Sequence, residues 1–174
     1  MHLNTKIALV LSFTVSFFVS CLKPEAFPPE PTIDFVSFEA QGDSGVITFS
    51  FTDGDGDIGL GQEQLSPPFD TSSYYYYNLY INYYEKMNGS WVRGTADPLG
   101  NNFPTADSIT FSYRLENITP IGQNKALRGE IQIVMEPYFF NTSSNHNDSV
   151  RYEIMLIDRS MNHSNLLETP LIVR

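Results

Sequence analysis

The chain holds one cysteine, Cys21, in 174 residues. It can therefore form neither an internal disulfide nor a cysteine-rich metal centre. Histidine is almost as scarce: past the first twenty residues only His146 and His163 remain, both in polar turn-like segments. HExxH and GxSxG motifs are missing too, so neither a zinc-peptidase helix nor a serine-nucleophile elbow is encoded. No apolar stretch reaches the roughly 20 residues that a membrane-spanning helix needs. Nowhere do apolar residues sustain the helical period. Positive charge is short, with 10 Lys and Arg against 20 Asp and Glu and a net charge of -10. Such a surface repels nucleic acid and anionic headgroups and suits a cation. The one enzymatic chemistry that this composition leaves open is a pair of carboxylates acting as acid and base, as in a glycan hydrolase. The expectation is that the protein is not an enzyme.

What is present begins with an export signal. Lys6 precedes the apolar run from Ile7 to Val19, then comes the small Ser20, then Cys21. A charged start, a short apolar core and a small residue are the parts of a signal peptide over residues 1–20. The tetrad Phe18-Val19-Ser20-Cys21 resembles a lipobox, with Phe in place of the usual Leu. The resemblance implies cleavage before Cys21, lipid on that cysteine, and attachment to a membrane through it. Cleavage would remove Lys6 and no acid, taking the net charge to about -11. Residues 21–31 hold four prolines, Pro24, Pro28, Pro29 and Pro31. Proline favours extended, stiff linkers, so this segment reads as a tether that spaces the domain a few nanometres from the lipid.

Residues 32–174 read as a single β-sandwich domain. Apolar residues alternate at period two, as in Ile47-Phe49-Phe51, Ile109-Phe111-Tyr113-Leu115, Ile131-Ile133-Met135 and Tyr152-Ile154-Leu156. Alternation bounded by Gly, Pro, Asn, Asp and Ser marks half-buried strands. Strands are expected near 33–39, 46–52, 75–87, 90–94, 108–116, 128–136, 150–157 and 166–173. Asn88-Gly89 joins the third and fourth, because both residues tolerate the positive φ of a tight hairpin turn. The fold class is all-β, a two-sheet antiparallel immunoglobulin-like sandwich. Loops 61–73, 95–107 and 137–149 are the long polar connections on which local function would sit.

The sharpest local motif is Asp53-Gly54-Asp55-Gly56-Asp57-Ile58-Gly59, directly after a strand. Aspartates alternating with glycine let a tight loop aim several carboxylates at one point, which a hard cation such as Ca²⁺ requires. It is not an EF-hand: Ile58 stands where that loop needs glycine, and Gln64 where it needs glutamate. Asp53, Asp55 and Asp57 are the candidate metal ligands. Asp158, or its neighbour Asn162, is expected to join them, since the loop after the second strand and the last hairpin turn share one end of such a sandwich. The competing reading is a glycine-rich turn whose aspartates bond their own backbone. A second motif is tyrosine density, with seven tyrosines between Tyr74 and Tyr84. Tyr80, Tyr84 and Trp91 are candidate binding residues, because aromatic faces can stack on sugars or on a partner's side chains. The competing reading there is cross-strand packing.

The strand that runs into Asp158, then Arg159-Ser160-Met161-Asn162-His163-Ser164-Asn165 and a last strand, resembles the closing hairpin of bacterial immunoglobulin-like and fibronectin type III-like domains. With the lipobox, the proline tether and the aspartate loop, the chain resembles a family of small Bacteroidetes-type lipoproteins. That resemblance implies display in the outer membrane or on the cell surface, and it brings no catalytic residues. The expected role is a lipid-anchored surface binding or accessory module, stabilised by calcium and directed at a glycan or an envelope protein. The alternatives are a purely structural envelope component and, third, the carboxylate-dependent hydrolase.

Overall fold

The computed structural model describes residues 26–96, 107–122 and 125–174. Cys21, the signal segment and most of the 95–107 loop lie outside the described residues. Among the described residues nine strands form: β1 (Thr32–Gln41), β2 (Ser44–Asp53), β3 (Leu79–Met87), β4 (Ser90–Arg93), β5 (Thr110–Tyr113), β6 (Leu127–Met135), β7 (Ser149–Leu156), β8 (Leu167–Glu168) and β9 (Ile172–Val173). No described helix is long and apolar enough to cross a membrane.

The strands make two antiparallel sheets. One runs β1-β2-β6 and the other β4-β3-β7-β8. β5 pairs with the first half of β3 on the edge that β4 takes further along, and β9 extends the edge of β7 begun by β8. The sheets face each other as the immunoglobulin-like sandwich that alternation called for. Ile33, Ile47, Phe49 and Phe51 of the first sheet, with Ile133 and Met135, meet Leu79, Ile81, Tyr83, Tyr152, Ile154 and Leu156 of the second. Burying a side chain of this size contributes about 1.5–3 kcal/mol. The two buried tyrosines keep their hydroxyls satisfied inside the core. Tyr152 donates to the Phe139 carbonyl, and Tyr83 donates to Glu85 Oε1 at 2.9 Å.

Three expected strands are shorter than the pattern suggests. The strand placed at 75–87 begins at Leu79, because Ser73 Oγ accepts from Tyr75 N and caps a 3-10 turn over Tyr74–Tyr76. The strand placed at 108–116 contracts to Thr110–Tyr113, beyond which Asn78 takes over both backbone groups of Leu115, at 2.6 and 3.2 Å. The strand placed at 166–173 divides at Pro170, whose missing N–H interrupts the ladder.

The pairing register gathers one pole of the sandwich. Thr32 faces Thr52, Asp53 faces Leu127 and Leu79 faces Leu156. The start of β1, the end of β2, the turn after β7 and the start of β6 thus lie together. The second half of the tether is docked there instead of standing free: Gly54 N donates to Pro28 O at 2.8 Å, and Pro31 is buried. The last hairpin clamps the same place. Asn165 accepts from Ile33 N at 2.8 Å and donates to Ile33 O at 2.9 Å, acting as a side-chain strand partner. Asn165→Ala removes both bonds and is expected to cost about 2 kcal/mol, at about 1 kcal/mol each. Asn165→Asp keeps the acceptor but sets a carboxylate oxygen against the Ile33 carbonyl, and is expected to cost at least as much. Urea midpoints unchanged from the native chain in both variants would contradict the clamp.

Candidate functional site

The aspartate loop sits at this pole, and its glycines explain its path. A Cβ on Gly54 would lie 2.2 Å from Phe27 O, on Gly56 1.7 Å from Lys125 O, and on Gly59 1.9 Å from Glu116 O. The loop is threaded between three other stretches of backbone, and only glycine lets them approach so closely. Ile58, fully buried, pins its middle to the core. Leu60 N donates to Leu115 O at 2.9 Å and Ile118 N to Ile58 O at 3.2 Å, so the β5–β6 connection runs alongside. Arg114 anchors the following loop through the carbonyls of Tyr76, Gly61 and Gln64, at 2.6, 3.1 and 2.7 Å.

Asp53, Asp55 and Asp57 each offer a carboxylate oxygen within 4.8 Å of the others, a group that could hold a metal ion. Their surroundings differ. Asp53 is fully buried, and its oxygens accept from Gly56 N at 3.3 Å and Asp57 N at 3.2 Å. The local backbone turn expected of a bare Asx loop is therefore present as well. Asp55 is exposed. Asp57 accepts from Ser160 Oγ at 2.7 Å through Oδ2, while its buried Oδ1 has no hydrogen-bond partner among the described residues. A buried carboxylate oxygen left without a donor is costly, and the donor set around it is all oxygen, as hard cations prefer.

The last hairpin meets this loop. Arg159 N donates to Asp57 O at 3.2 Å, and Ser160 is the side chain that reaches Asp57. Asp158 is buried and lies outside the 4.8 Å group. Its two oxygens accept from Asn162, from the backbone N at 2.7 Å and from Nδ2 at 2.8 Å, closing the turn. Sequence reasoning named Asp158 and Asn162 and missed Ser160, whose hydroxyl is an ordinary turn residue until the fold brings it across.

Electrostatics follow from this crowding. Burial, then the Asp55 carboxyl bonded beside it, then the charges of Asp55 and Asp57, push Asp53 up to about 7. Burial raises Asp158 as well, and the charges of Asp57 and Asp55 add to it while Asn162 pulls the other way. An unfolded aspartate titrates near 3.9. Between about pH 4 and 7 the metal-free folded state keeps a proton that the unfolded chain has released. Stability from this group is thus full below pH 4 and is lost as pH rises through about 7. In chelator, the urea midpoint of the native chain is expected to fall between pH 5 and pH 8 more steeply than that of Asp53→Asn. Parallel trends would contradict the assignment.

The aromatic candidates lie on the outer face of the second sheet and are already partnered. Arg151 places its guanidinium 5.2 Å from the Tyr84 ring and 5.0 Å from the Trp91 ring, and Lys86 lies 5.8 Å from Trp91. Tyr84 donates to Glu153 at 2.6 Å, and Arg151 pairs with Glu168 at 2.6 Å and Glu153 at 3.4 Å. Tyr80 stacks on Tyr74 with centroids 4.9 Å apart and planes 3° off parallel. A second aromatic group, unforeseen in sequence, joins Tyr74 and Tyr75 to His163 across the pole, at 6.1 and 6.3 Å. The Ser72-Ser73 pair ahead of Tyr74 was the available signal that these tyrosines turn before the strand begins.

No protein-family model matches the chain, and neither a curated protein nor a solved structure matches it. The functional reading rests on its own residues.

Proposed function

We propose that this chain is a non-enzymatic lipoprotein of the cell envelope, anchored in the outer membrane through lipid on Cys21, whose sandwich serves as a surface binding or accessory module. Calcium held by Asp53, Asp55 and Asp57 stiffens the loop that follows β2. The observation that carries the calcium reading is the convergence of three carboxylates around a buried Asp57 oxygen that has no donor among the described residues. With ligand oxygens from a buried, a half-buried and an exposed aspartate, the loop offers part of the six to eight oxygens that calcium takes, and water can complete the shell. Ser160, already bonded to Asp57, ties that shell to the last hairpin. The acidic surface of the chain speaks against nucleic acid as a partner.

A glycan or an envelope protein is the partner class that the outer aromatic face supports, through Tyr80, Tyr84 and Trp91. One observation favours the rival reading, a structural component without a small ligand: Arg151 already lies against the rings of both Tyr84 and Trp91. A glycan array probed with the native domain and with Trp91→Ala separates the two. Binding that falls tenfold or more in Trp91→Ala is expected of the module, a loss of about 1.4 kcal/mol. An array silent for the native domain assigns the face to structure.

A further inference from the structure

We infer that the pole carrying the aspartate loop is the one that faces the lipid bilayer, and that its exposed aromatic and aliphatic side chains rest at the headgroup level. This rests on the lipid-anchored reading of Cys21. Chain length limits which pole the lipid can reach. The tether is docked from Phe27–Pro28 onward, against Gly54. Six residue steps separate Cys21 from Phe27, and at about 3.5 Å per step they span at most about 20 Å. The lipid must therefore enter the bilayer beside this pole. The opposite pole lies one strand further away: the eight residue steps of β3, at about 3.3 Å each, put the Asn88-Gly89 turn about 26 Å beyond Leu79.

Exposed apolar surface gathers at the same pole. Leu65, Tyr74, Tyr77, Ile118, Ile121 and Met161 are large, exposed and all in connections of the lipid-side pole. Among the described connections of the opposite pole, Tyr138 is the one such residue. Met161 also holds φ at +67°, a conformation unusual outside glycine that carries an apolar side chain on an exposed turn. Tyrosine belongs at a bilayer interface because its ring is apolar at one end and wet at the other. Exposed Asp55 on the same pole disfavours anionic headgroups, so the surface it fits is zwitterionic.

The test uses the full lipidated chain reconstituted in phosphatidylcholine vesicles. Trp91 is the only tryptophan, so Trp91→Phe provides a silent background for Tyr77→Trp, Met161→Trp or Tyr138→Trp. Vesicle flotation reads the anchor, and quenching of tryptophan fluorescence by brominated phosphatidylcholine reads the orientation. Tyr77→Trp and Met161→Trp are expected to be quenched at least twofold more than Tyr138→Trp or native Trp91. The two lipid-side substitutions lie on different loops, so a folding defect in one leaves the other to report. Equal or reversed quenching in protein that floats would overturn the orientation while leaving the anchor in place. Protein that fails to float would overturn the anchor, and the orientation with it.

Discussion

Gly59→Ala is expected to lower the melting temperature of the domain by about 10 °C, whereas Gly89→Ala lowers it by no more than a few degrees. The two glycines have almost the same backbone, with φ of +87° and +86°. Both substitutions therefore force alanine into the left-handed region, at about 1–2 kcal/mol. Their surroundings differ. Around Gly89 nothing lies within 4 Å of a new Cβ, while at Gly59 that atom would fall 1.9 Å from Glu116 O and 2.5 Å from its carbonyl carbon. Backbone cannot rotate aside as a side chain can, and Glu116 is held by its bridge to Leu60. Forcing the segments apart adds about 1–3 kcal/mol of overpacking. A total of about 3 kcal/mol corresponds to about 10 °C in a domain of this size. Gly56 and Gly42 form a second matched pair, both at φ +66°, the first against Lys125 O and the second in open space. Equal losses within both pairs would show that the loop is not threaded as described.

Calcium is expected to raise the melting temperature of the metal-free protein by about 8 °C when present at a hundredfold excess over its dissociation constant. Ligand at that excess contributes about 2.7 kcal/mol to whichever state binds it, and each kcal/mol moves the transition by about 3 °C. Asp55→Ala gives the diagnostic comparison. Asp55 is exposed, and its carboxyl bonds to that of Asp53 while its charge, with that bond, pushes Asp53 upward. Without metal, removing it relieves repulsion, and the variant should melt at or above the native temperature. With calcium, the variant has lost a ligand and should show no gain. The order of the two proteins therefore reverses between chelator and calcium. A loop serving only as an Asx turn predicts no reversal, since Asp53 keeps its bonds from Gly56 and Asp57 in both.

The parts of the fold written in local pattern were legible. Strict alternation in Ile47-Phe49-Phe51 and Tyr152-Ile154-Leu156 identified β2 and β7 and assigned their inner faces to the core. The turn at Asn88-Gly89 was legible for the same reason, and the positive φ of both residues bears out the signal. Strand ends were harder, because Ser73, Asn78 and Pro170 act by redirecting hydrogen bonds that alternation does not register. In the candidate site, the aspartates were visible as a run, but the role of their glycines was not. That role depends on Phe27, Lys125 and Glu116, which lie far off in sequence and reach the loop only through the sheet register. The same holds for Arg151, which comes to Tyr84 and Trp91 by the pairing of β7 with β3 and of β4 with β3. The tether shows the limit in another way: its prolines signal stiffness, while its docking is decided by the Gly54 N–H that waits for Pro28.

Calorimetric titration of calcium into the chelator-treated chain, run at pH 6 and at pH 8, tests the central claim most directly. Asp53 holds a proton up to about pH 7 and must release it to bind the cation. One site per chain is expected, with affinity several-fold higher at pH 8 and with both affinity and proton release lost in Asp55→Ala. A native chain that takes up no calcium at pH 8, or one that binds it unchanged in Asp55→Ala, would contradict the account.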